Sequence, residues 1–299
     1  MKYSHLLNSF RLIKRSEIVN VFSFTALSTL VKTLTGFISI KIVAIIVGPL
    51  GIALLGQLNN FSSIVMTIAS GGINNGITKY IAEFKNSPKK LRLFISTAFQ
   101  ITLILSLISG IGLILFANYF SRKILVDISY SYVFLFFGIT ITLYTLNSFL
   151  MSILNGYKEF KKFVQISIVT SIIGALFTIG LVWIWELPGA LISAVTYQGI
   201  VFFITLFLVS KYKWFIWSNF ITRLSKPILK KYTGFALMAL VTAFTVPLTQ
   251  LFIRSYIIKE LSVNEAGIWE GINRISGMYL MIITSSFGVY YLPRLSEIK

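Results

Sequence analysis

Cysteine is absent from the sequence, and histidine occurs once, as His5. Disulfides, thiolate catalysis and cysteine metal sites are therefore excluded, and neither a histidine metal cluster nor a histidine-dependent triad can be assembled. Asp127 is the only aspartate, which argues against a glycosyltransferase that binds its metal through two aspartates. The GxxxxGK[ST] phosphate loop is missing as well, so P-loop nucleotide hydrolysis is excluded. We expect neither enzymatic activity nor a cofactor or metal.

Charged residues are scarce too. They make up 12% of the 299 residues, whereas a typical soluble domain has about 25%. Hydrophobic residues make up 56%, and the mean hydropathy is +0.83. The charges separate apolar runs of ~20 residues or more, and each run is long enough to cross a hydrocarbon core about 30 Å thick. The composition indicates an all-α polytopic membrane protein whose surface contacts membrane lipids.

Glycine and proline divide the chain into eight predicted transmembrane helices. Proline lacks a backbone donor and glycine tolerates positive φ, so breaks are predicted at Gly48-Pro49-Leu50-Gly51, Ser87-Pro88 and Leu187-Pro188-Gly189. The first 17 residues are predicted as a polar tail, and the run after them is too long for a signal-peptide core. The predicted helices cover residues 18–47, 53–80, 92–120, 130–156, 162–186, 188–210, 232–257 and 266–292.

Lysine and arginine are distributed unevenly between the two sides of this bundle. When residues at helix ends are counted with the adjacent loop, the side with the N-terminal tail and the loops after even-numbered helices carries 20 of the 27 basic residues. The loops after odd-numbered helices, counted in the same way, carry four, and three lie deeper within spans. Basic residues accumulate on the cytoplasmic side, so the N-terminus is predicted to be cytoplasmic, in the bacterial inner membrane. Topology thus explains the net charge of +18, and we expect no nucleic acid partner.

The second and eighth predicted helices resemble each other. The spacing from Asn59 to Asn273 and from Glu83 to Glu297 is 214 residues in both cases. Both helices start outside and end inside, which indicates a parallel repeat, a known transporter design. One repeat would hold six helices and a complete molecule twelve, so this chain would lack four helices or obtain them from a second polypeptide. The alternative is a finished eight-helix protein.

Six short segments along the predicted helices form a recognisable pattern. They are Ser28-Thr29-Leu30-Val31-Lys32, Gly48-Pro49-Leu50-Gly51, Gly76-Ile77-Thr78-Lys79-Tyr80, Phe235-Ala236-Leu237-Met238-Ala239-Leu240, Ala266-Gly267-Ile268-Trp269 and Tyr290-Tyr291-Leu292-Pro293. This pattern resembles the O-antigen translocases of the multidrug/oligosaccharidyl-lipid/polysaccharide exporter superfamily. The resemblance extends over nearly the whole chain and is most specific at residues 24–84 and 233–298.

The resemblance implies a twelve-helix fold of two six-helix lobes around a cavity that opens alternately to each side. Residues 1–215 would form the first lobe, and residues 216–299 the first two helices of an incomplete second lobe. The implied cargo is an undecaprenyl-pyrophosphate-linked oligosaccharide, such as an O-antigen or enterobacterial common antigen unit, moved from the cytoplasmic to the periplasmic leaflet. Other polysaccharide assembly proteins are further expected partners. The departure from the family is the length of this chain.

Lys32 and Lys41 lie within the first predicted helix, where a charge is costly and therefore a functional hypothesis. Lys32 is near the middle of that helix. We expect it to face the cavity and pair with the pyrophosphate, and the alternative is a buried lysine satisfied by carbonyls or a carboxylate. Lys41 falls on the opposite face of a straight helix, so it reaches the same cavity only if the helix bends near Gly36. Otherwise Lys41 snorkels to the near surface.

Charges near the seventh and eighth helices form a second candidate group. Glu270 precedes Arg274 by four residues, in the order that favours an ion pair within one helix. This pair is either self-neutralised or exchanges partners as cargo or a proton arrives. Arg254 is a candidate cavity cation or a rim charge, and Glu265 is its candidate partner.

Amides and small residues complete the candidate set. Asn59 and Asn74 in the second helix bind either sugar hydroxyls or neighbouring helices. Two GxxxG patterns, Gly72 to Gly76 and Gly267 to Gly271, predict close helix packing, with a hinge as the alternative.

Three other functions compete with a flippase. A cation-coupled multidrug exporter of the same superfamily would be expected to place a carboxylate in the first lobe, but residues 18–82 contain none and do contain two lysines inside the first span. A membrane-embedded enzyme is disfavoured because the sole histidine lies in a tail. A non-transporting partner in an export complex would co-purify with that complex without flipping activity.

Overall fold

The computed structural model describes residues 2–212, 215, 220, 222, 226–277, 279 and 280. Side chains are described from residue 26 onward, except for most of those between 223 and 243. Over the described residues the fold is helical and contains no strand. We number its helices α1 to α10 in chain order.

The first helical stretch, Lys2–Ala69, is two helices joined at Gly48. Gly48 has φ 67° and ψ −170°, outside the helical region, and divides the stretch into α1 (residues 2–47) and α2 (residues 49–69). The predicted break is confirmed. In contrast, α1 begins at Lys2 instead of residue 18, because no glycine or proline interrupts the chain before residue 36.

The predicted second helix is not continuous. It ends at Ala69, and a turn precedes α3, Asn74–Phe84. Gly71 and Gly72 adopt positive φ values of 64° and 63° in this turn, a conformation that glycine adopts at low steric cost. The prediction of one helix over residues 53–80 is therefore wrong. The Gly72 to Gly76 pattern is likewise not a packing motif on a single helix.

The next two spans lie on either side of a short helical connection. α4 covers Pro88–Leu115, with Pro88 in its first turn after the predicted break, so it starts and ends about four residues before the predicted 92–120. A separate short helix, α5 (Ala117–Ile124), and a single 3₁₀ turn follow. Asp127 caps this turn by accepting a hydrogen bond from the backbone N–H of Ser129 at 2.9 Å. α6 covers Ser131–Gly156, close to its predicted bounds.

The helical stretch Phe160–Val209 is also two helices. Glu186, with φ 47° and ψ −121°, divides it into α7 (residues 160–185) and α8 (residues 187–209), just before Pro188. These bounds confirm the two predicted helices within two residues. α9 covers Lys226–Glu260, longer at both ends than predicted. The last described helix, α10, begins at residue 263 and is followed to residue 277, and the predicted continuation to residue 292 lies outside the described residues.

Both long stretches reverse direction at their breaks. In one straight helix Lys32 and Asn59 would lie about 40 Å apart at about 1.5 Å per residue, yet they line the same cavity. Likewise Tyr197 of α8 packs beside Gly174 of α7. The apolar stretches Ala26–Phe84, Pro88–Leu115, Ile128–Gly156 and Phe160–Val209 are each long enough to cross a membrane, and the first and last are long enough to cross it twice. The chain is a multi-pass membrane protein.

Two apolar clusters hold the bundle, one toward each end. The cluster at the Gly48 end includes Leu58, Phe134 and Phe137. The cluster at the opposite end includes Ile81 and Phe149. Along α6, polar residues that line a cavity come between the residues of these two clusters. The packed ends therefore leave a polar space in the middle of the bundle.

Candidate functional site

A cavity of about 700 Å³ lies among α1, α2, α6, α7 and α8. Its wall carries many hydroxyl groups, contributed by serine and threonine from α1 and α7 and by tyrosine from α6 and α8. A wall of this kind is unusual in a span whose other residues are mostly apolar. The polar side chains are available to a ligand that needs several hydrogen bonds at once.

Lys32 is the only charged residue among the described residues that line this cavity. Its side chain is exposed to the cavity, and it lies roughly 24 Å along the helix from Gly48 at about 1.5 Å per residue. Lys32 thus lines a cavity, and its role in binding an anionic ligand stays a prediction. Lys41 is exposed but does not line the cavity, as expected for the opposite face of an unbroken helix.

A second cavity of about 250 Å³ adjoins the first. The two share four lining residues, Asn59, Tyr144, Tyr197 and Gln198. Asn74, at the start of α3, lines the smaller one. Both predicted asparagines thus face polar space, and the shared residues mark where the two cavities meet.

Most hydroxyls of the cavity wall that have a hydrogen bond donate it to their own helix. Thr35 donates to the carbonyl of Val31 at 2.8 Å, and Ser39 donates to that of Thr35 at 2.8 Å. In α7, Ser171 donates to the carbonyl of Ser167 at 2.8 Å. These bonds satisfy the donors and leave the hydroxyl oxygens able to accept further hydrogen bonds.

A buried ion cluster lies outside the cavities, toward the Gly48 end. Glu270 of α10 pairs with Arg254 of α9 and, through Oε1, with Nε of Arg274 at 2.7 Å. Arg254 is 1% exposed. The predicted pairing of Glu270 with Arg274 within one helix is confirmed, but the same carboxylate also binds a second helix.

The predicted partner of Arg254, Glu265, is not its partner. Glu265 lies in the first turn of α10, where its backbone N–H donates to Oγ of Ser262 at 3.1 Å and its side chain is exposed. This is the position that an acidic residue takes at a helix N-terminus capped by serine. Arg254 is therefore neither a rim charge nor a cavity cation in this structure, because it is buried and pairs with Glu270 in the packed interior.

Gln57 of α2 joins the ion cluster to the first part of the chain. Its Oε1 accepts from Nη1 of Arg254 at 3.2 Å, and its Nε2 donates to Oγ of Ser255 at 3.0 Å. The guanidinium of Arg254 also lies 5.6 Å from the centre of the Trp269 ring, within cation–π range. The cluster thus connects α2, α9 and α10.

Two glycines allow these helices to approach. A Cβ at Gly56 would lie 2.8 Å from both the guanidinium carbon of Arg254 and the carboxyl carbon of Glu270. A Cβ at Gly267 would overlap the carbonyl of Pro49. Gly267 therefore has the predicted packing role, whereas a Cβ at Gly271 would meet nothing within 4 Å.

Sequence reasoning missed Gln57, Tyr144, Tyr197 and Gln198. Each is a polar interruption of an apolar span, and this was the available signal. Their neighbours, however, come from other helices, so only the fold shows which of them meet.

Comparisons with known proteins agree with this architecture. The family described as polysaccharide biosynthesis protein matches residues 18–299. The chain belongs to this family. The lipid III flippases of Escherichia coli (strain K12) and Shigella flexneri are each 28% identical to this family member over 275 residues. These matches cover 92% of the chain and 66% of the flippases, so the chain spans just under two thirds of their length.

Solved structures share the fold. A MOP superfamily transporter from Pyrococcus furiosus superposes with a TM-score of 0.63 at 16% identity, covering 89% of this family member and 61% of the transporter. An outward-facing multidrug resistance MATE family transporter superposes with a TM-score of 0.60 at 19% identity, covering 90% and 61%. The chain therefore has the helical fold of MOP superfamily transporters.

Proposed function

We propose that this family member translocates an undecaprenyl-pyrophosphate-linked oligosaccharide from the cytoplasmic to the periplasmic leaflet by alternating access. The observation that carries the proposal is the isolated cation Lys32 in a hydroxyl-rich cavity at membrane depth. The similarity to lipid III flippases supports the same conclusion. Fold alone does not define a cargo, so the chemistry of the cavity matters more than the structural likeness.

The cargo has two chemical parts, and the cavity has groups for both. A pyrophosphate is anionic and requires a cation when it leaves water, since an unpaired charge in a low-dielectric region is costly. Lys32 supplies that cation. The sugars are neutral and polyhydroxylated, and they require hydrogen-bonding groups such as Asn59, Asn74 and the hydroxyls of the wall.

The excess of lysine and arginine on one side supports an orientation with the N-terminus in the cytoplasm of a bacterium. In that orientation Gly48 and the ion cluster lie toward the periplasm. The cluster then closes the periplasmic end while cargo enters from the cytoplasmic side.

A drug exporter that couples transport to a cation is the alternative. Such an exporter would be expected to bind its ion through a carboxylate in the first lobe. Among the described residues that line either cavity none is acidic. This observation favours an anionic cargo over a coupling cation at this site.

Substitution of Lys32 tests the proposal. The chain, and in parallel a form extended to the full length of the curated relatives, would be expressed in a bacterium that lacks its own oligosaccharide flippase. The readout is lipid-linked oligosaccharide accessible from the periplasm. We expect Lys32→Ala to abolish the access that the unsubstituted protein restores, because the pyrophosphate loses its counter-charge.

Lys41→Ala is the matched control. It removes the same charge from the same helix but outside the cavity, so access should be unchanged. Equal amounts of inserted protein would be verified by immunoblotting of membranes. If Lys32→Ala and Lys41→Ala behave alike, or if the inserted protein restores no access with any of several glycans, the proposed function is wrong.

A further inference from the structure

Two polar atoms at the cavities are buried and have no hydrogen-bond partner among the described residues. They are Oδ1 of Asn147, in α6, and Oγ of Ser62, in α2. Asn147 is 6% exposed and lines the larger cavity, and Ser62 is 4% exposed and lines the smaller one. Buried polar atoms in folded proteins nearly always have a partner, so each of these two has an unused capacity for a hydrogen bond beside a cavity.

These two residues differ from the hydroxyls around them. Thr35, Ser39 and Ser171 already donate to carbonyls of their own helices. Ser62 makes no such bond although it lies in the same kind of helix. A buried acceptor such as Asn147 Oδ1 gains more from a hydrogen bond than a solvated one does, because its desolvation is already complete.

Both residues lie beside the junction of the two cavities. Asn147 follows Tyr144 by three residues on α6, and Ser62 follows Asn59 by three residues on α2, so each pair shares a helix face. Tyr144 and Asn59 line both cavities. Lys32 and Asn147 both line the larger cavity and not the smaller one. The junction and the cation are therefore different parts of one connected polar space.

The junction also presents aromatic surface. Tyr144 and Tyr197 both line it, and the Tyr197 hydroxyl accepts a hydrogen bond from Nε2 of Gln198 at 2.6 Å. The Tyr197 ring packs against Gly174 so closely that a Cβ there would lie 2.9 Å from Cδ2 of the ring. Aromatic rings beside hydrogen-bonding groups suit a sugar, which has apolar C–H faces and polar edges.

We propose that the junction is a sugar-binding subsite in which Asn147 Oδ1 accepts a hydrogen bond from a hydroxyl or acetamido N–H of the glycan. Ser62 contributes a second polar contact where the glycan extends into the smaller cavity. This inference rests on the proposed function, and it assigns sugar binding and pyrophosphate binding to different residues. A carboxamide oxygen accepts but does not donate, so the subsite selects sugars that carry a donor at this position.

The test measures binding of two probes to the purified chain in lipid nanodiscs. One probe is a short-chain prenyl pyrophosphate, and the other is the same lipid carrying an N-acetylated disaccharide. Asn147→Leu keeps the volume of the side chain and removes the acceptor. We expect it to lower the affinity for the glycosylated probe about three- to tenfold, the effect of one neutral hydrogen bond. Its affinity for the sugar-free probe should be unchanged, whereas Lys32→Met should weaken both probes.

Two further variants make the result specific. Asn155→Leu places the same substitution on α6 at a residue that lines neither cavity, and it should change neither affinity. Ser62→Ala removes a hydroxyl that bonds to nothing in the described chain. This variant should fold normally and lower only the affinity for the glycosylated probe.

The outcomes separate this subsite from the function on which it rests. Equal losses for both probes in Asn147→Leu, or no loss for either, would overturn the subsite while Lys32-dependent binding keeps the proposed function intact. If the unsubstituted protein binds neither probe, or binds both regardless of Lys32, the proposed function and the subsite fail together.

Discussion

Arg254 and Glu270 form an ion pair whose surroundings exclude water. Their side chains are 1% and 7% exposed, and the pair lies among Gly56, Gln57 and Trp269. Removal of Arg254 leaves Glu270 paired with Arg274, so the cost comes from the emptied buried site and from the lost hydrogen bond to Gln57.

We predict that Arg254→Ala lowers the free energy of unfolding by about 3 kcal/mol, within the range for truncation of a large buried side chain. The measurement is denaturant unfolding in detergent, followed by circular dichroism. Lys259→Ala is the control on the same helix. Lys259 is 82% exposed and pairs with Glu260 at 3.6 Å, so its loss should cost less than about 1 kcal/mol. Similar losses in the two variants would contradict the structural account.

The sequence identifies best those residues whose own chemistry is unusual in an apolar helix, whatever their neighbours are. Lys32 is such a residue, since a charge inside an apolar helix indicates a cavity without knowledge of any neighbour. The partner of Arg254 was not predictable in this way. Glu265 is nearer to it in sequence than Glu270, but the capping position of Glu265 at Ser262 directs it elsewhere. Asn147 is also a polar interruption of an apolar helix, but the lack of a hydrogen-bond partner for its Oδ1 is visible only in the folded structure.

At the scale of the helices, the breaks between them determine the architecture. The chain reverses at Gly48, one residue before Pro49, and at Glu186, two residues before Pro188. Both breaks were predicted, because proline lacks a backbone donor. The turn before α3 was missed. The adjacent glycines Gly71 and Gly72 are an ordinary turn signal, but the spacing from Gly72 to Gly76 suggested helix packing instead.

The turn before α3 therefore gives a prediction for glycine substitutions. Gly71→Ala and Gly72→Ala each place a Cβ on a backbone with φ near 64°, which costs about 1–2 kcal/mol for a residue with a side chain. Gly36→Ala is the control, since a Cβ there meets nothing within 4 Å and alanine favours the helix by up to about 1 kcal/mol. In detergent, we expect the thermal unfolding temperature to fall for Gly71→Ala and Gly72→Ala and to rise for Gly36→Ala. A stabilised Gly72→Ala variant would be inconsistent with the turn.

At the scale of the whole molecule, helix α2, which follows the reversal at Gly48, connects the ion cluster with the cavity. α2 contributes Gln57 to the cluster and Asn59 to the cavity, two residues apart. Under the proposed function, this contact of α2 with α9 and α10 lies toward the end at which cargo would leave. That contact is therefore expected to open during transport.

A cysteine-free chain makes this opening directly measurable. Ala266, at the start of α10, is 0% exposed, so Ala266→Cys should react slowly with a membrane-impermeant maleimide. We predict that adding Glu270→Gln accelerates labelling about tenfold, which corresponds to a shift of about 1.4 kcal/mol toward the open state. Lys259→Cys, already exposed, should react at the same rate in both backgrounds. Unchanged labelling of Ala266→Cys would show that the cluster does not hold this end closed.

The overall architecture was predictable to the extent that it depends on local signals. Composition and Gly/Pro punctuation indicated a multi-pass helical bundle, and the family match and the likeness to MOP superfamily structures agree. The division into lobes at residue 215 stays a prediction. The shape of the cavity was beyond sequence reasoning, because it depends on how α1, α2, α6, α7 and α8 pack, and apolar helices carry little information about their neighbours.

The hydrogen bonding of the cavity wall has a consequence for evolution. Thr35, Ser39 and Ser171, and Thr67 of the smaller cavity, each donate to a carbonyl of their own helix, so these bonds do not hold one helix to another. Exchanging such a residue for alanine, serine or threonine changes the wall but leaves the contacts between helices intact. Selection can therefore alter the ligand preference of the cavity in single steps that cost little stability, while the two apolar clusters keep the bundle unchanged. A lineage built this way can follow changes in its ligand without passing through unfolded intermediates.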